Sequence, residues 1–328
     1  MLTAFVKFGD GHTMRCTDSA DLSTAYNDPS AQFWLDLSGP TETEYALLKD
    51  LFGFHPLAVE DAIHEVQRPK LESYALVGDK LKTDYFFLVI HGPDLDPDPN
   101  NLFHTTELDI FFSQRYLVTV HDDPMAAVSE MFARVQTLHE SKLTLDIDIL
   151  LYELLDRLMD KYVPIIDDFQ ELLDKLEEVA ITDPPPEFLV TVSDRKTELL
   201  NLRRIMTQQR DILGQLTRGE VPFMGSLSRI YFRDVLDHLN REVETIDIYR
   251  ESVDGLPRYL HVEYQQSTEQ DHEDTGNHQH RNLAPDGDYK LLRNEFCGHY
   301  PGIHQAAHVR RRNAAHDLSS VRFSLSFP

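Results

Sequence analysis

The longest regular pattern in the chain is a helical repeat of apolar residues at positions 227–256. These residues recur at steps of three and four, which places them on one side of a helix: Phe232, Val235, Leu239, Val243, Ile246, Tyr249, Val253 and Leu256. The opposite side is acidic and carries Asp234, Asp237, Glu242, Glu244, Asp247, Glu251 and Asp254. We expect this helix to end near Pro257, where the pattern stops.

The same helical spacing occurs in three long segments earlier in the chain. It predicts helices at residues 125–139, 146–180 and 187–217. The second of these has a heptad-like apolar seam, and Pro164 is expected to kink it. Gly219 ends the third. These segments predict a pair of long antiparallel helices followed by a stalk helix.

The first part of the chain has the shorter, alternating pattern of β-strands. It predicts strands at residues 3–8, 33–37, 84–91, 106–112 and 116–121. Between them, Thr41 and Glu44 form a capping box that opens one short helix, and His55-Pro56 begins another. The predicted fold class is α+β, with a mixed β-sheet flanked by helices and followed by the long helices and the stalk.

Pattern and charge together divide the chain into three parts. We predict a sheet domain at 1–140, a helical pair with the stalk helix at 141–256, and an unstructured tail at 257–328. The chain has 56 Asp and Glu against 31 Lys and Arg, and nearly all of the net charge of -25 lies before the tail. Such acidity argues against nucleic acid or an anionic membrane surface as a partner and favours cations.

Cysteine content and hydropathy bound the location of the chain. Cys16 and Cys297 are too few and too far apart for a disulfide framework, so a reducing cytosol is the default compartment. The N-terminal residues are too polar for a signal peptide, and no window approaches the roughly 18 apolar residues of a membrane span. The chain as translated is therefore expected to be cytoplasmic.

Acidic side chains are the candidate functional groups of this sequence. Hard divalent cations such as Mg²⁺ bind carboxylate oxygens, and the positions considered are Glu60, Asp61, Asp156, Asp160, Asp234 and Asp237. Acidic residues on a helix can equally form its solvated face. His55 and His121 are isolated, which is typical of structural histidines. A hydrolase that uses paired carboxylates has no nucleophile or phosphate-binding motif to support it.

Three segments of the chain are distinctive in their residues, order and spacing. They are FGFHPLAVEDAIHEVQRPKLESY, LLYELLDRLMDKYVPIIDDF and YFRDVLDHLNREVETIDIYRESVDGL. Across residues 30–256 the chain resembles the cytoplasmic part of the CorA-type magnesium transport proteins. The resemblance implies a homopentamer with an α/β funnel domain, a stalk helix that enters the membrane as the first span, a Gly-Met-Asn signature and a second span.

The resemblance also implies a metal-sensing role and no enzyme activity. Regulatory Mg²⁺ would lie between neighbouring subunits, on Glu60 and Asp61 of one protomer and on Asp156 and Asp234. Mg²⁺ would also be the transported ion, with Co²⁺ or Ni²⁺ as lesser substrates or Zn²⁺ in a related branch. The family protein would be located in the cell inner membrane.

The segment after residue 256 departs from the family because the two apolar spans are absent. The run Arg293-Asn294-Glu295-Phe296 can be encoded CGG AAT GAA TTT, and loss of the first base gives GGA ATG AAT TTT, which encodes Gly-Met-Asn-Phe. The same shift allows an apolar second span at 308–327. We therefore interpret 257–328 as an out-of-frame translation of the membrane region, so that membrane association requires the spans to be restored in frame.

Two alternatives for the chain stay open. The tail holds eight of the sixteen histidines and could bind metal, although the spacing of His278 and His280 matches no standard zinc site. The chain could also be a soluble metal-sensing relic or a pseudogene product that kept the funnel and lost the pore. As translated it has no pore-lining segment and could not conduct ions.

Overall fold

A computed structural model describes residues 1–64, 66, 68–74, 84–93, 104–140, 146–182 and 184–274, with side chains described to residue 257 except at 138–140. Within these residues, seven strands form one sheet: β1 (Leu2–Lys7), β2 (Thr13–Cys16), β3 (Gln32–Ser38), β4 (Lys70–Tyr74), β5 (Tyr85–Pro93), β6 (Thr105–Phe112) and β7 (Tyr116–His121). The strand order is β2-β1-β3-β7-β6-β5-β4. Because β3 and β7 are parallel and the other neighbouring pairs are antiparallel, the predicted mixed sheet is confirmed.

Eight helices lie in the described part of the chain. They are α1 (Ser19–Asn27), α2 (Glu42–Asp50), α3 (Pro56–Ile63), α4 (Ala126–Glu140), α5 (Ile147–Asp160), α6 (Tyr162–Thr182), α7 (Phe188–Arg218) and α8 (Ser226–Asp274). The predicted capping box forms at α2, where the side chains of Thr41 and Glu44 each bond the backbone of the other. The sequence pattern did not predict β2, β4 and α1, because such short elements show too few periods of hydrophobic repeat.

The sheet lies between two layers of helices. Alternate residues of β3 point to opposite sides, so Phe33 and Leu35 pack with α1, α2 and α3, whereas Trp34 packs in a hydrophobic cluster with α4 to α8. Residues Met1–Gln266 form one compact unit. The hydrophobic cluster that contains Trp34 has members on both sides of position 140, where the boundary between the sheet domain and the helical pair was predicted. The short helices and the long helices therefore cover opposite faces of one sheet.

The predicted single helix at 146–180 is two helices. α5 ends at Asp160 and α6 begins at Tyr162, with Lys161 between them. Pro164 explains the break: it lacks a backbone N–H, and its ring would clash with the carbonyl four residues earlier, which is that of Asp160. The proline therefore interrupts the helix three residues before its own position.

The predicted end of the stalk helix near Pro257 is wrong. α8 continues through Pro257 to Asp274, so a proline that usually ends or kinks a helix lies inside this one. The backbone at 258–274, which was predicted to be unstructured, is helical. The rest of the predicted tail, 275–328, lies outside the described residues. Across the described ranges, none of the helices combines the length and apolar character that crossing a membrane requires.

Candidate functional site

The N-terminus of α3 is fixed by His55. Its Nδ1 accepts a hydrogen bond of 3.3 Å from the backbone N–H of Leu57, and Pro56 occupies the first helical position, where no N–H is needed. The backbone N–H of His55 also donates a 2.7 Å bond to the Tyr85 hydroxyl on β5. This cap confirms a structural function for His55 and sets the direction in which α3 presents its acidic residues.

The segment after α3 is held by a buried side chain of the sheet. Glu107 on β6 accepts a 3.0 Å hydrogen bond from the backbone N–H of Val66, and its other oxygen lies 3.7 Å from Nε2 of His91 on β5. Both side chains are at least nine-tenths buried. α3 is therefore anchored to the sheet at its beginning and just beyond its end.

The two acidic residues on α3 differ in their surroundings. Glu60 is exposed, and within the described ranges no hydrogen bond or ion pair reaches its carboxylate. Asp61 accepts a 2.5 Å hydrogen bond from Nζ of Lys70 on β4, and the same ammonium group lies 3.2 Å from Glu72. Burial of Lys70 opposes its charge, yet the hydrogen bonds to Asp61 and Glu72 raise its pKa above the ordinary value.

Asp156 on α5 and Asp234 on α8 belong to a second acidic group between these helices. Burial raises the pKa of Asp156 to about 6, and the neighbouring charges of Asp160 and Asp234 contribute in the same direction. Nε2 of His238, one helical turn along α8, lies 3.8 Å from Asp234, whose side chain is 68% exposed. The structure thus brings Asp156 and Asp234 together and adds Asp160 and His238 to the group.

His238 was missed by sequence reasoning, although a signal was present. Asp234 and His238 are four residues apart on a helix, and this spacing places two side chains on the same side. Tyr152 of α5 and Tyr231 of α8 stack with ring centroids 5.0 Å apart, so the two helices meet directly beside this group. Asp237, by contrast, is exposed on α8, and among the described residues no hydrogen bond or ion pair joins it to the other candidates.

The four predicted metal ligands form two pairs rather than one cluster. α3 covers one face of the sheet and α5 and α8 cover the other, so Glu60 and Asp61 are separate from Asp156 and Asp234 within a chain. Among the residues with described side chains, no three or more His, Cys, Asp or Glu groups are placed to hold a metal ion. Within the described part of a single chain, the four residues therefore do not form one metal site.

A buried polar group lies under α3, and the sequence did not indicate it. Burial, followed by the charge of Glu107, raises the pKa of Asp109 on β6 well above its ordinary value, and Oδ1 of Asp109 has no hydrogen-bond partner within the described chain. His121 lies 3.3 Å from Asp36; burial opposes its charge, but the bond to Asp36 raises its pKa. Burial lowers the pKa of His91.

A small cavity lies beside these buried groups. Its volume is about 20 Å³, enough for one water molecule, and it is lined by Tyr45, Ala62, Ile63, Thr106, Glu107, Asp109, His121 and Asp122.

Comparison with known protein families assigns the chain to a family. The model described as CorA-like Mg2+ transporter protein matches residues 30–270, which is more than half of the chain. The chain belongs to the CorA family. The match covers five of the seven described strands, β3 to β7, almost all of the long helices and all four predicted ligands. The resemblance seen in the three sequence segments is therefore confirmed.

Individual CorA-family proteins show the extent of the likeness. The chain is 32% identical over 230 residues to YfjQ of Bacillus subtilis and 26% identical over 244 residues to the cobalt/magnesium transport protein CorA of Thermotoga maritima. It spans 66% of the length of each. The soluble domain of CorA from Methanocaldococcus jannaschii superposes with a TM-score of 0.61 at 18% identity, over 79% of this chain and 96% of that one. This superposition confirms the predicted funnel-domain fold.

Proposed function

We propose that this chain is part of a divalent-cation transport protein and that it senses Mg²⁺ through carboxylates shared between subunits. The observation that carries the proposal is the CorA-family match over 30–270, which includes acidic residues presented by α3, α5 and α8. Mg²⁺ is proposed as both the regulatory and the transported ion, with Co²⁺ and Ni²⁺ as lesser substrates. Glu60, Asp61, Asp156 and Asp234 are the proposed regulatory ligands.

The separation of the two acidic pairs supports a site between protomers. Mg²⁺ takes a near-octahedral set of oxygen ligands and usually retains several waters, so one carboxylate pair and water make a weak site. A second protomer can add the missing pair, because Glu60 and Asp234 are exposed on their own chain. We propose a homopentamer in which the α3 pair of one protomer faces the α5–α8 pair of its neighbour.

Metal binding at such a site would act as a switch. Bound Mg²⁺ offsets the repulsion between carboxylates of adjoining protomers and favours a closed arrangement, whereas loss of the metal leaves like charges facing each other. A ligand shifts a conformational equilibrium only by its difference in affinity for the two states. Several weak sites in one pentamer therefore give a sharper response than a single site.

The membrane part of the protein is proposed to be encoded after codon 256 in a shifted frame. The support is the Gly-Met-Asn-Phe signature obtained by removing one base before the Arg293-Asn294 segment. Resequencing the DNA around codons 250–260 tests this proposal. A frame that continues into two apolar spans supports a transporter of the inner membrane, and a confirmed slip supports the second candidate, a soluble metal-sensing relic.

Sedimentation of the full chain tests metal sensing directly. We expect addition of millimolar Mg²⁺ to shift the chain towards a pentamer, whereas KCl at the same ionic strength does not. A Zn²⁺ arm tests the alternative ion, because preference for Zn²⁺ at much lower concentration would assign the chain to the zinc branch. A monomer under every condition would refute the intersubunit site.

A further inference from the structure

Lys70 places a cation of the protein itself on one of the proposed metal ligands. Its Nζ lies 2.5 Å from Oδ2 of Asp61, the separation of a charge-assisted hydrogen bond. The negative charge of the Asp61 carboxylate is therefore already balanced by the ammonium group of Lys70. Glu60, the preceding residue on α3, has no such partner within the described ranges. The two neighbouring acidic residues therefore differ in their availability to a metal ion.

The position of Lys70 is built by several contacts. Its backbone lies in β4 opposite Val89, and its Nζ lies 3.2 Å from Glu72 and 5.3 Å from the centre of the Phe87 ring. The Tyr74 hydroxyl donates a 2.8 Å hydrogen bond to Glu72, which holds that carboxylate beside the ammonium group. The side chain of Lys70 is 25% exposed. A strand, a second carboxylate and an aromatic face thus direct this lysine to α3.

We propose that Lys70 is a tethered competitor: in the metal-free protein it occupies the Asp61 carboxylate, and a divalent cation binds at α3 only by displacing it. This inference rests on the proposed function, since it names an element that regulates the same site. Lys70 is a positioning residue and not a ligand, because an ammonium group has no lone pair to donate.

Displacement of Lys70 is feasible because the ammonium group keeps other partners. On a flexible four-carbon stem it can move from Asp61 while remaining near Glu72 and the Phe87 ring, so its charge is not left unpaired. A divalent ion has twice the charge and binds carboxylate oxygen directly, which lets it compete with a single ammonium group. Lys70 therefore sets the Mg²⁺ concentration at which Asp61 becomes a ligand, without blocking the site.

The test is a Mg²⁺ titration of the full 328-residue chain and its variants, read as the rise in unfolding temperature and by calorimetric binding. Lys70→Met is expected to lower the midpoint Mg²⁺ concentration by about two- to fivefold, since a partly exposed ion pair no longer competes. Lys70→Arg retains the positive charge and can form a two-pronged contact with one carboxylate, so its midpoint is expected to equal or exceed that of the wild type.

Lys196→Met is the matched control. It removes the same charge and an ion pair of 2.6 Å with Asp254, far along the chain from α3, and its midpoint is expected to match that of the wild type. In a Lys70→Met background, Asp61→Asn should abolish the gain. An unchanged or higher midpoint for Lys70→Met, or an equal fall for Lys196→Met, would refute the proposal that Lys70 competes with the metal for Asp61. Neither result would contradict metal sensing itself.

Failure of the proposed function gives a different result. If neither the wild type nor Lys70→Met binds Mg²⁺, metal sensing and the competitor are both refuted. If only Lys70→Met binds, the competitor is supported and the native chain is not a Mg²⁺ sensor. Unfolding temperatures measured without metal show whether each variant is folded, and Lys70→Arg provides the opposite prediction if Lys70→Met fails to fold.

Discussion

The backbone N–H of His91 on β5 donates a 3.0 Å hydrogen bond to Oε1 of Gln209 on α7. Gln209 is fully buried, and the hydroxyl of Tyr162 on α6 donates a 2.8 Å bond to the carbonyl of the same His91. The imidazole of His91 faces Glu107, which holds the segment after α3. One residue of the sheet is thus in contact with the long helices on one side and with the anchor of α3 on the other.

Replacing Gln209 tests the importance of this junction. Gln209→Leu leaves the buried N–H of His91 without its acceptor, so the free energy of unfolding should fall by about 1–3 kcal/mol. Urea unfolding followed by fluorescence of Trp34, the single tryptophan, measures the loss. Gln208→Leu is the control, because Oε1 of Gln208 has no partner among the described residues. Equal losses for the two variants would contradict the assigned role.

Asp109 predicts a specific pH dependence of stability. Its pKa is raised in the folded state, so the folded protein holds this proton more tightly than the unfolded chain does. The contribution is fully present below the unfolded value of about 3.9 and is lost as the pH rises through the higher folded pKa. Asp109→Asn, which stays neutral, should therefore increase the free energy of unfolding at pH 7 by more than about 1 kcal/mol.

The measurement for Asp109 is urea unfolding at a series of pH values from about 4 to about 8, which begins near the pKa of an aspartate in the unfolded chain. The difference between Asp109→Asn and the wild type should grow with pH, and Asp50→Asn, at an exposed position of α2, should show no such trend. A difference that is constant across the range would show that Asp109 is not the titrating group. In the folded protein, after burial, the charges of Glu107, Asp61 and Asp122 raise the pKa of Asp109, and the charge of Lys70 opposes them.

Asp234 and Asp237 form a matched pair for the proposed regulatory site. Both are exposed on α8 three residues apart, but only Asp234 acts on Asp156. Asp234→Asn is expected to raise the midpoint Mg²⁺ concentration for thermal stabilisation by about tenfold or more, whereas Asp237→Asn should leave it within about twofold. Equal effects would indicate that general acidity, and not this position, governs the response.

The capping box of α2 gives a prediction that is independent of metal. The hydroxyl of Thr41 accepts a 3.4 Å bond from the backbone N–H of Glu44, and the Glu44 carboxylate accepts a 2.8 Å bond from the N–H of Thr41. Thr41→Ala should lower the free energy of unfolding by about 1 kcal/mol. Thr245→Ala removes the same hydroxyl and methyl groups, but its hydroxyl only donates to the carbonyl of Arg241 in the preceding turn of α8, so it should cost less in the same urea experiment. A smaller loss for Thr41→Ala would contradict the cap.

The local pattern of the sequence was sufficient for the α+β class, most strands and the capping box at Thr41. It also identified the family through three segments that carry Asp61, Asp156 and Asp234. Those features depend on residues close together in sequence, where hydrophobic period and backbone capping act directly. The joined helix at 146–180 and the early end of α8 were wrong because the effect of a proline depends on the contacts of the surrounding helix.

The tertiary structure alone decided which charges meet. No pattern in the sequence states that Lys70 binds Asp61 or that His238 lies near Asp156. Nor does it state that Oδ1 of Asp109 is buried without a hydrogen-bond partner among the described residues. Periodicity reports which face of an element is buried, whereas strand register and helix packing determine which distant side chains share that space. The sequence therefore determines which acidic side chains are available for the proposed metal sensing, and packing decides which of these carboxylates already have a partner within the chain.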